Sequence, residues 1–508
     1  MSKNHQNRLF LNMFSYASLQ VVNMLVGLFL PRLYLAVYGS EINGVISTVN
    51  SFTSYFTYLE AGLGLTLIHS LFKPLAENNT AELNGILSYS KKRYQNISFV
   101  YFLLVVAFSL VFPFTKATQD IGKLEFALLV LVIGLYGSLD FFTMSKYRVL
   151  LTADRKEYVI SNAMTLAQIC RFVFTWILLQ FELSVVLVKL VPIFTLLIRS
   201  LILRIYIKKK YESINYNSSE RINVETSKSH WDALLLQISI STSVSLPTIL
   251  ISQILDYKEA NVYAVYSLVI SAMISITSSL SSGVSPVLGR SIAKGKSINK
   301  TYEVFDFVVA MIISVVFSIT AVMLLPFVTL YTDVVDDINY IHPIYAVLMS
   351  VWGALYAYRI PVTAVINAAG IYRENRVNNI VNLALQFVLG VVAAISFGIP
   401  GMIVVMIISA LQRNISLTHV NNQVLLHASL KNSIVYQVMM TVLIAGSFLI
   451  SYNMISGMEF NVMKWLVVAM LVAAIEVVVC VLFFVVLNPK MAKAVYQTIK
   501  AKLPKKAH

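Results

Sequence analysis

The chain has 508 residues, of which 58% are hydrophobic and 12% are charged, and its formal net charge is +15. A soluble domain carries about 25% charged residues, so this composition excludes an ordinary soluble protein and indicates a surface that faces lipid. The basic residues lie in short loops between apolar runs, without a stripe of exposed aromatic residues, which argues against a nucleic-acid partner. Both cysteines, Cys170 and Cys480, lie within apolar runs, so no disulfide is expected.

Apolar runs follow one another along almost the whole chain. Because a membrane span needs roughly 20 apolar residues, the sequence predicts an all-α integral membrane protein with about 14 transmembrane helices. The predicted spans are 10–31, 44–69, 94–115, 124–145, 158–180, 184–207, 232–255, 262–287, 303–330, 343–367, 378–398, 400–421, 434–452 and 463–487. Gly398-Ile-Pro-Gly401 leaves only a tight link between two of them and predicts a helical hairpin. A re-entrant run near the C-terminus would reduce the count to about 12 or 13.

The Lys and Arg residues alternate between loops in the way that sets membrane topology. With the N-terminus in the cytoplasm, most of the 39 fall in cytoplasmic segments, at 3–8, 73–93, 146–156, 199–228, 290–300, 373–376, 431 and 490–506. The opposite loops hold only Arg32, Lys116, Lys123, Lys258 and Lys464. This asymmetry predicts a multi-pass protein of the cytoplasmic membrane with both termini in the cytoplasm.

A polar linker divides the chain into two similar halves. The predicted parts are an N-terminal lobe at 1–207, a cytoplasmic linker at 208–231, a C-terminal lobe at 232–421, two additional helices at 422–487 and a basic cytoplasmic tail at 488–508. The pair Tyr147-Arg148 recurs as Tyr358-Arg359, and Tyr38 to Asn43 recurs as Tyr257 to Asn261. An even number of spans in each half makes the repeat parallel, and the substrate path is then expected between the halves.

Short motifs near the helix ends carry a family resemblance. They are Pro31-Arg32, Tyr38-Gly39, Leu59-Glu60-Ala-Gly62-Leu-Gly64, Ser70-Leu-Phe-Lys73-Pro74, Leu150-Leu-Thr-Ala153-Asp154-Arg-Lys-Glu157-Tyr158 and Asn367-Ala-Ala369-Gly370-Ile-Tyr372. In these motifs the chain resembles the bacterial polysaccharide transporters that export O-antigen or capsule repeat units, within the multidrug/oligosaccharidyl-lipid/polysaccharide exporter superfamily. The resemblance implies a V-shaped transporter with two pseudo-symmetric lobes, two extra C-terminal helices and a central cavity. It further implies a flippase that moves undecaprenyl-pyrophosphate-linked oligosaccharides by alternating access.

Ionisable side chains inside the apolar runs are the candidate site residues, because an uncompensated charge in hydrocarbon costs several kcal/mol. Arg32, Arg171 and Arg359 are predicted to bind the pyrophosphate, since arginine forms bidentate, charge-assisted hydrogen bonds with such groups. Glu60 and Asp140 are predicted to balance these charges or to bind a coupling Na⁺ or H⁺. The alternative for each is a structural ion pair or, near a helix end, a side chain that reaches to the interface.

Three further charged residues within spans are predicted to have structural roles. Lys189 and Arg413 are interpreted as interfacial or paired side chains. Glu476 lies in the additional helices and is interpreted as an inter-helix hydrogen-bond partner.

Motifs for chemical catalysis are incomplete in this sequence. The segment from Gly289 to Ser297 nearly matches a phosphate-binding loop, but its spacing is too long and no strand precedes it. The chain is therefore predicted to be neither an ATPase nor another enzyme, to hold no metal or cofactor besides a coupling ion, and to use an ion gradient or substrate supply.

Two other function classes compete with the flippase. One is a cation-coupled exporter of small amphipathic compounds, which would need a deep acidic site. The other is a membrane-embedded polysaccharide polymerase, which would be expected to carry a large outer loop. The flippase hypothesis predicts a lipid-linked oligosaccharide, membrane lipid and the polysaccharide polymerase machinery as partners.

Overall fold

The computed structural model describes residues 3–60, 63–116, 118, 120–211, 214–216, 230–294, 297–369, 371, 373–425, 430–455 and 457–502. Every regular element among them is helical, which confirms the predicted all-α class. The described residues leave out most of the predicted linker and the end of the basic tail. They also leave out Gly295 and Lys296, which belong to the segment that nearly matches a phosphate-binding loop.

The chain divides into two compact units, Met1–Asn261 and Val262–His508. The first contains α1 (Lys3–Phe56), α2 (Leu63–Glu77), α3 (Thr80–Val111), α4 (Lys123–Thr143), α5 (Ser145–Ala153), α6 (Glu157–Leu179), α7 (Val185–Val188), α8 (Val191–Lys210) and α9 (His230–Ile254). α9 packs on α1 and so belongs to this unit, while the domain boundaries proposed from the sequence stay a prediction.

The second unit takes up most of α10 (Tyr257–Ala293). It continues with α11 (Asn299–Thr332), α12 (Pro343–Ala357), α13 (Ile360–Ala369), α14 (Arg376–Val424), α15 (Leu430–Ile455), α16 (Val462–Leu487) and α17 (Pro489–Lys502). α11 is the central helix of this unit, because it packs against α12, α13, α15, α16 and α17.

Eleven helices in the described part of the chain are long and apolar enough to cross a membrane. Two of them are longer than a single membrane crossing requires. α1 has 54 residues and α14 has 49, whereas roughly 20 residues span the membrane once. Each is interrupted by a glycine with positive φ, Gly39 at 75° and Gly398 at 62°. The hairpin predicted at Gly398 is therefore confirmed. If α12 and α13 together make one crossing, the helices are enough for the predicted count of about 14.

Three predicted spans are broken in the structure. The second is interrupted by the 3-10 turn Thr57–Glu60 before α2, the sixth between α7 and α8, and the tenth between α12 and α13. Pro192 and Pro361 stand at the second position of α8 and α13. Proline has no N–H to donate, so it is well placed to start a helix and poorly placed to continue one.

The two copies of one repeated motif touch within the first unit. Asn43 Nδ2 donates to Asn261 Oδ1 at 2.8 Å, and both side chains are buried. Next to Asn43, the α-carbon of Gly44 lies so close to Tyr257 that a Cβ there would come within 1.8 Å of the Tyr257 carbonyl oxygen. Only glycine allows this approach of the two backbones.

We expect Gly44→Ala to lower the unfolding temperature of the detergent-purified protein, because α1 and the start of α10 would have to separate. An overpacked core position costs about 1–3 kcal/mol. Gly27→Ala is the matched control, since a Cβ at Gly27, also on α1, has no atom within 4 Å. Equal melting temperatures for the two variants would contradict the close contact.

Candidate functional site

Four charged side chains form an ion cluster in the first unit. Arg148 on α5 lies between two acids, with Nη2 3.8 Å from Glu60 Oε2 and 3.7 Å from Asp140 Oδ2. Arg199 on α8 donates from its own Nη2 to the other oxygen of Asp140. Two guanidinium groups thus face two carboxylates, and their charges compensate one another.

Helix ends and breaks place these groups together. Glu60 ends the 3-10 turn between α1 and α2, and Tyr94 Oη on α3 donates to Glu60 Oε1 at 2.7 Å. Asp140 lies in the last turn of α4, and Arg148 follows in the short helix after it. Burial lowers the pKa of Arg148, but the Asp140 and Glu60 carboxylates more than reverse this and raise it above the ordinary value. The cluster therefore connects four helical elements through charge and a fifth, α3, through the Tyr94 hydrogen bond.

A second cluster in the first unit is cationic. Lys189, at the end of α7, is only 6% exposed, and its Nζ lies 3.6 Å from the centroid of the Tyr34 ring on α1. Arg171 on α6 is close enough to act electrostatically on both. Arg171 Nε is buried without a hydrogen-bond partner, and the hydroxyls of Tyr34 and Thr175 lie beside each other. No carboxylate within the described ranges pairs with Arg171 or Lys189, so the positive charge here is uncompensated.

An open groove leads to this cationic cluster. It has a volume of about 250 Å³ and is lined by Asn23, Val26, Gly27, Leu30 and Pro31 of α1 and by Gln168 and Arg171 of α6. Gln168 Nε2 donates to Asn23 Oδ1 at 2.9 Å across it. The groove gives a ligand access to Arg171 and offers neutral amides beside it.

Arg359 of the second unit lies at the break between α12 and α13. Its guanidinium carbon is 3.6 Å from the centroid of the Tyr356 ring, and its Nη1 is buried without a hydrogen-bond partner. Arg413 on α14 acts on it by like-charge repulsion. The Arg413 guanidinium donates to Asn382 Oδ1 at 3.3 Å and to Asn379 Oδ1 at 3.2 Å, which are neutral acceptors.

Two carboxyl groups of the second unit are buried among neutral partners. Glu476 on α16 accepts a hydrogen bond from Ser447 Oγ at 2.9 Å, which is the inter-helix contact expected from the sequence. Asp306 on α11 accepts one from Tyr358 Oη at 3.1 Å. Asp306 was not among the residues singled out in the sequence, although an acid within an apolar run was a usable signal.

The predicted site residues occupy separate places. Glu60 and Asp140 meet through Arg148, Arg171 lines the groove, and Arg359 belongs to the other unit. Arg32 lies on α1 next to Pro31 and is half-buried. The assignment of these residues to substrate binding or ion coupling stays a prediction. The ion cluster shows that Glu60 and Asp140 both contact the same guanidinium group, that of Arg148.

Sequence reasoning missed the partners of these residues. Arg148 and Arg199 were counted as cytoplasmic loop charges, yet both reach carboxylates in the unit's interior. The recurrence of Tyr147-Arg148 as Tyr358-Arg359 was the available signal for Arg148. The structure shows that the two arginines differ: one faces two acids, and the other stacks on Tyr356 close to a second arginine.

We expect Arg148→Gln to lower the unfolding temperature, because Glu60 would keep only Tyr94 and Asp140 only Arg199. Breaking a fully buried pair costs about 3–5 kcal/mol, and the 33% exposure of the Arg148 side chain reduces this to roughly 1–3 kcal/mol. The double variant Glu60→Gln/Arg148→Gln should recover part of the loss. Arg93→Gln, which removes an exposed guanidinium from α3, is the control; a loss as large in this control would argue against the cluster.

Solved transporter structures share this fold at low sequence identity. A lipid II flippase, MurJ, in an inward closed conformation matches with a TM-score of 0.66 and 10% identity, over 94% of this chain and 99% of the other. A MATE multidrug resistance transporter of the MOP superfamily in an inward-facing conformation matches with a TM-score of 0.59 and 12% identity, over 82% and 99%. A eukaryotic MATE transporter matches with a TM-score of 0.56 and 13% identity, over 86% and 99%.

Comparisons at the level of sequence give no relative. No family model matches the chain, and no curated protein sequence matches it. The chain therefore has the multi-helix membrane fold that flippases and multidrug transporters share, and its substrate has to be inferred from its own residues.

Proposed function

We propose that this protein is a flippase for undecaprenyl-pyrophosphate-linked oligosaccharide repeat units, moving them across the cytoplasmic membrane by alternating access for surface polysaccharide synthesis. The observation that carries the proposal is positive charge that no carboxylate of the described residues pairs with, at Arg171 and the buried Lys189 in one unit and at Arg359 in the other. A fold shared with a lipid II flippase supports the same class of substrate.

The cationic cluster of the first unit has the groups that a diphosphate needs. Two cations close together, with no acid between them, repel each other unless an anion joins them. Arg171 Nε is a donor without an acceptor, and leaving such a group unsatisfied costs about 1–3 kcal/mol. A phosphate oxygen would accept from it and offset the repulsion between the two cations.

Arg359 provides an equivalent group in the second unit. The Tyr356 ring holds the guanidinium plane by a cation–π contact, which leaves its N–H edge for bidentate hydrogen bonds. Arg413 is held by the amide oxygens of Asn379 and Asn382, so it adds positive potential while its own position is fixed. Alternating access requires the anion to be held from each half in turn, and both units carry such a site.

The acids of the first unit favour this proposal over an exporter of amphipathic cations. Such an exporter needs a carboxylate that is open to its cargo. Glu60 and Asp140 already face Arg148 and Arg199, so their negative charge is compensated within the protein. A flipped repeat unit is consumed by polymerisation, so the polysaccharide polymerase machinery is the expected partner.

The cellular test is deletion of the gene followed by complementation. Deletion should cause lipid-linked oligosaccharide to accumulate in the inner leaflet and surface glycan to be lost, and the unaltered chain should restore the glycan. We expect Arg171→Gln and Arg359→Gln to restore less than about a tenth, since each removes a charge-assisted hydrogen bond. Arg93→Gln should restore it fully. Full restoration by both site variants at normal membrane abundance would contradict the assignment.

A binding test separates an anionic from a cationic substrate. Farnesyl diphosphate should bind the detergent-purified protein more tightly than farnesol, and Arg359→Gln should weaken the diphosphate roughly 10- to 100-fold while leaving farnesol unchanged. Isothermal titration calorimetry gives both affinities. Equal affinity for the two probes, together with tight binding of a lipophilic cation, would favour the multidrug exporter.

A further inference from the structure

Asp306 is a buried carboxyl group with no role in the transport proposed above. It is 7% exposed, and its hydrogen bond comes from the neutral hydroxyl of Tyr358 at 3.1 Å. No nitrogen of a Lys, Arg or His in the described ranges lies within 4.0 Å of its oxygens. Its surroundings therefore stabilise the charged form only weakly.

The helices packed on α11 bring aromatic groups to this position. Tyr302 and Glu303 precede it on α11 itself, and Tyr436 faces it from α15. Phe307, the next residue, packs on Tyr436 and on Phe484 of α16. The charged side chain near Asp306 is thus another acid, Glu303, three residues earlier on the same helix.

Tyr358 connects Asp306 to the arginine of the second unit. It stands between α12 and α13 and directly precedes Arg359, and its own amide donates to the Ala354 carbonyl at 2.9 Å. A carboxylate accepts a strong hydrogen bond from a phenol, and a protonated carboxyl group a weaker one. The charge of Asp306 therefore sets how firmly this helix break is anchored.

We propose that Asp306 is a proton-binding site and that Tyr358 transmits its protonation state to the segment carrying Arg359. With Asp306 ionised, Tyr358 is held and the break is closed. With Asp306 neutral, the anchor weakens and Arg359 gains freedom to move. The ligand proposed for this site is a proton, which Asp306 takes up directly at its carboxylate.

The compensated acids of the first unit differ from Asp306 in this respect. Glu60 and Asp140 face guanidinium groups, so adding a proton to either would leave an arginine without its counter-charge. Asp306 can gain or lose a proton without breaking an ion pair. Coupling of this proton to transport rests on the proposed function, whereas the titration itself can be tested without any substrate.

The first test is infrared difference spectroscopy of the purified protein during a pH titration. We expect a protonated carboxyl C=O band that changes with pH and is missing in Asp306→Asn. Glu303→Gln is the matched control, because it removes an acid from the same helix, and it should keep the band. An unchanged set of carboxyl bands in Asp306→Asn would overturn the proposal.

The second test is amide hydrogen exchange over residues 354–363, corrected for the intrinsic effect of pH. The unaltered protein should exchange about tenfold faster at low pH, the factor that corresponds to one charge-assisted hydrogen bond. Asp306→Asn should exchange fast at every pH, and Tyr358→Phe should lose the pH dependence, with helical content by circular dichroism unchanged in both. Retention of the normal pH dependence in either variant would overturn the link through Tyr358.

These outcomes are distinct from failure of the flippase proposal. If farnesyl diphosphate binding fails while the titration persists, the proton site stands and the substrate is wrong. If binding succeeds while the pH-dependent exchange is absent, the substrate stands and Asp306 is only a structural acid.

Discussion

Compensation of buried charge is the constraint on which the rest of this structure depends. A charged side chain that is buried away from water is stabilised by an oppositely charged partner, by a change in its protonation state or by a bound ligand. The chain shows all three arrangements. Glu60 and Asp140 meet Arg148 and Arg199, Asp306 accepts a hydrogen bond from the neutral Tyr358 hydroxyl, and Arg171 with Lys189 pairs with no acid of the described residues. Each arrangement suits a different role: structure, proton uptake and anion binding.

The internal repeat gives this constraint its functional meaning. Tyr147-Arg148 and Tyr358-Arg359 are equivalent in sequence, but their neighbours differ. In the first unit two carboxylates neutralise the arginine, and in the second a tyrosine ring and a repelling arginine surround it. One arginine of the motif is thus neutralised within its unit, while the other has no carboxylate partner among the described residues. The difference comes from side chains on neighbouring helices and not from the motif.

The sequence predicted the features that local chemistry determines. Apolar run lengths gave the spans, and the Gly and Pro residues at Gly398 gave the hairpin that the structure confirms. The sequence could not predict which charged residues form ion pairs. Arg148, Glu60 and Asp140 lie on different helical elements, and these are brought together by packing of the whole unit. The break at Thr57–Glu60 was missed as well, since this segment carries no proline to mark it. Asp306 shows most clearly what the sequence cannot predict. Its position at the start of an apolar run can be read from the sequence, but its neutral hydrogen-bond partner, Tyr358, can be identified only in the folded unit.

The shared fold does not by itself identify what this chain binds. At 10–13% identity, a flippase and multidrug transporters both match it over 99% of their own lengths, with TM-scores of 0.66 for the flippase and 0.56–0.59 for the multidrug transporters. What separates the possible cargos is the sign of the charge left uncompensated in the interior. An exporter of cations needs negative charge open to its cargo, and here the acids of the first unit are already compensated. The positive charges of Arg171, Lys189 and Arg359, for which the described residues supply no carboxylate partner, are the basis for proposing an anionic headgroup, while Asp306 and Glu476 are buried acids with neutral partners.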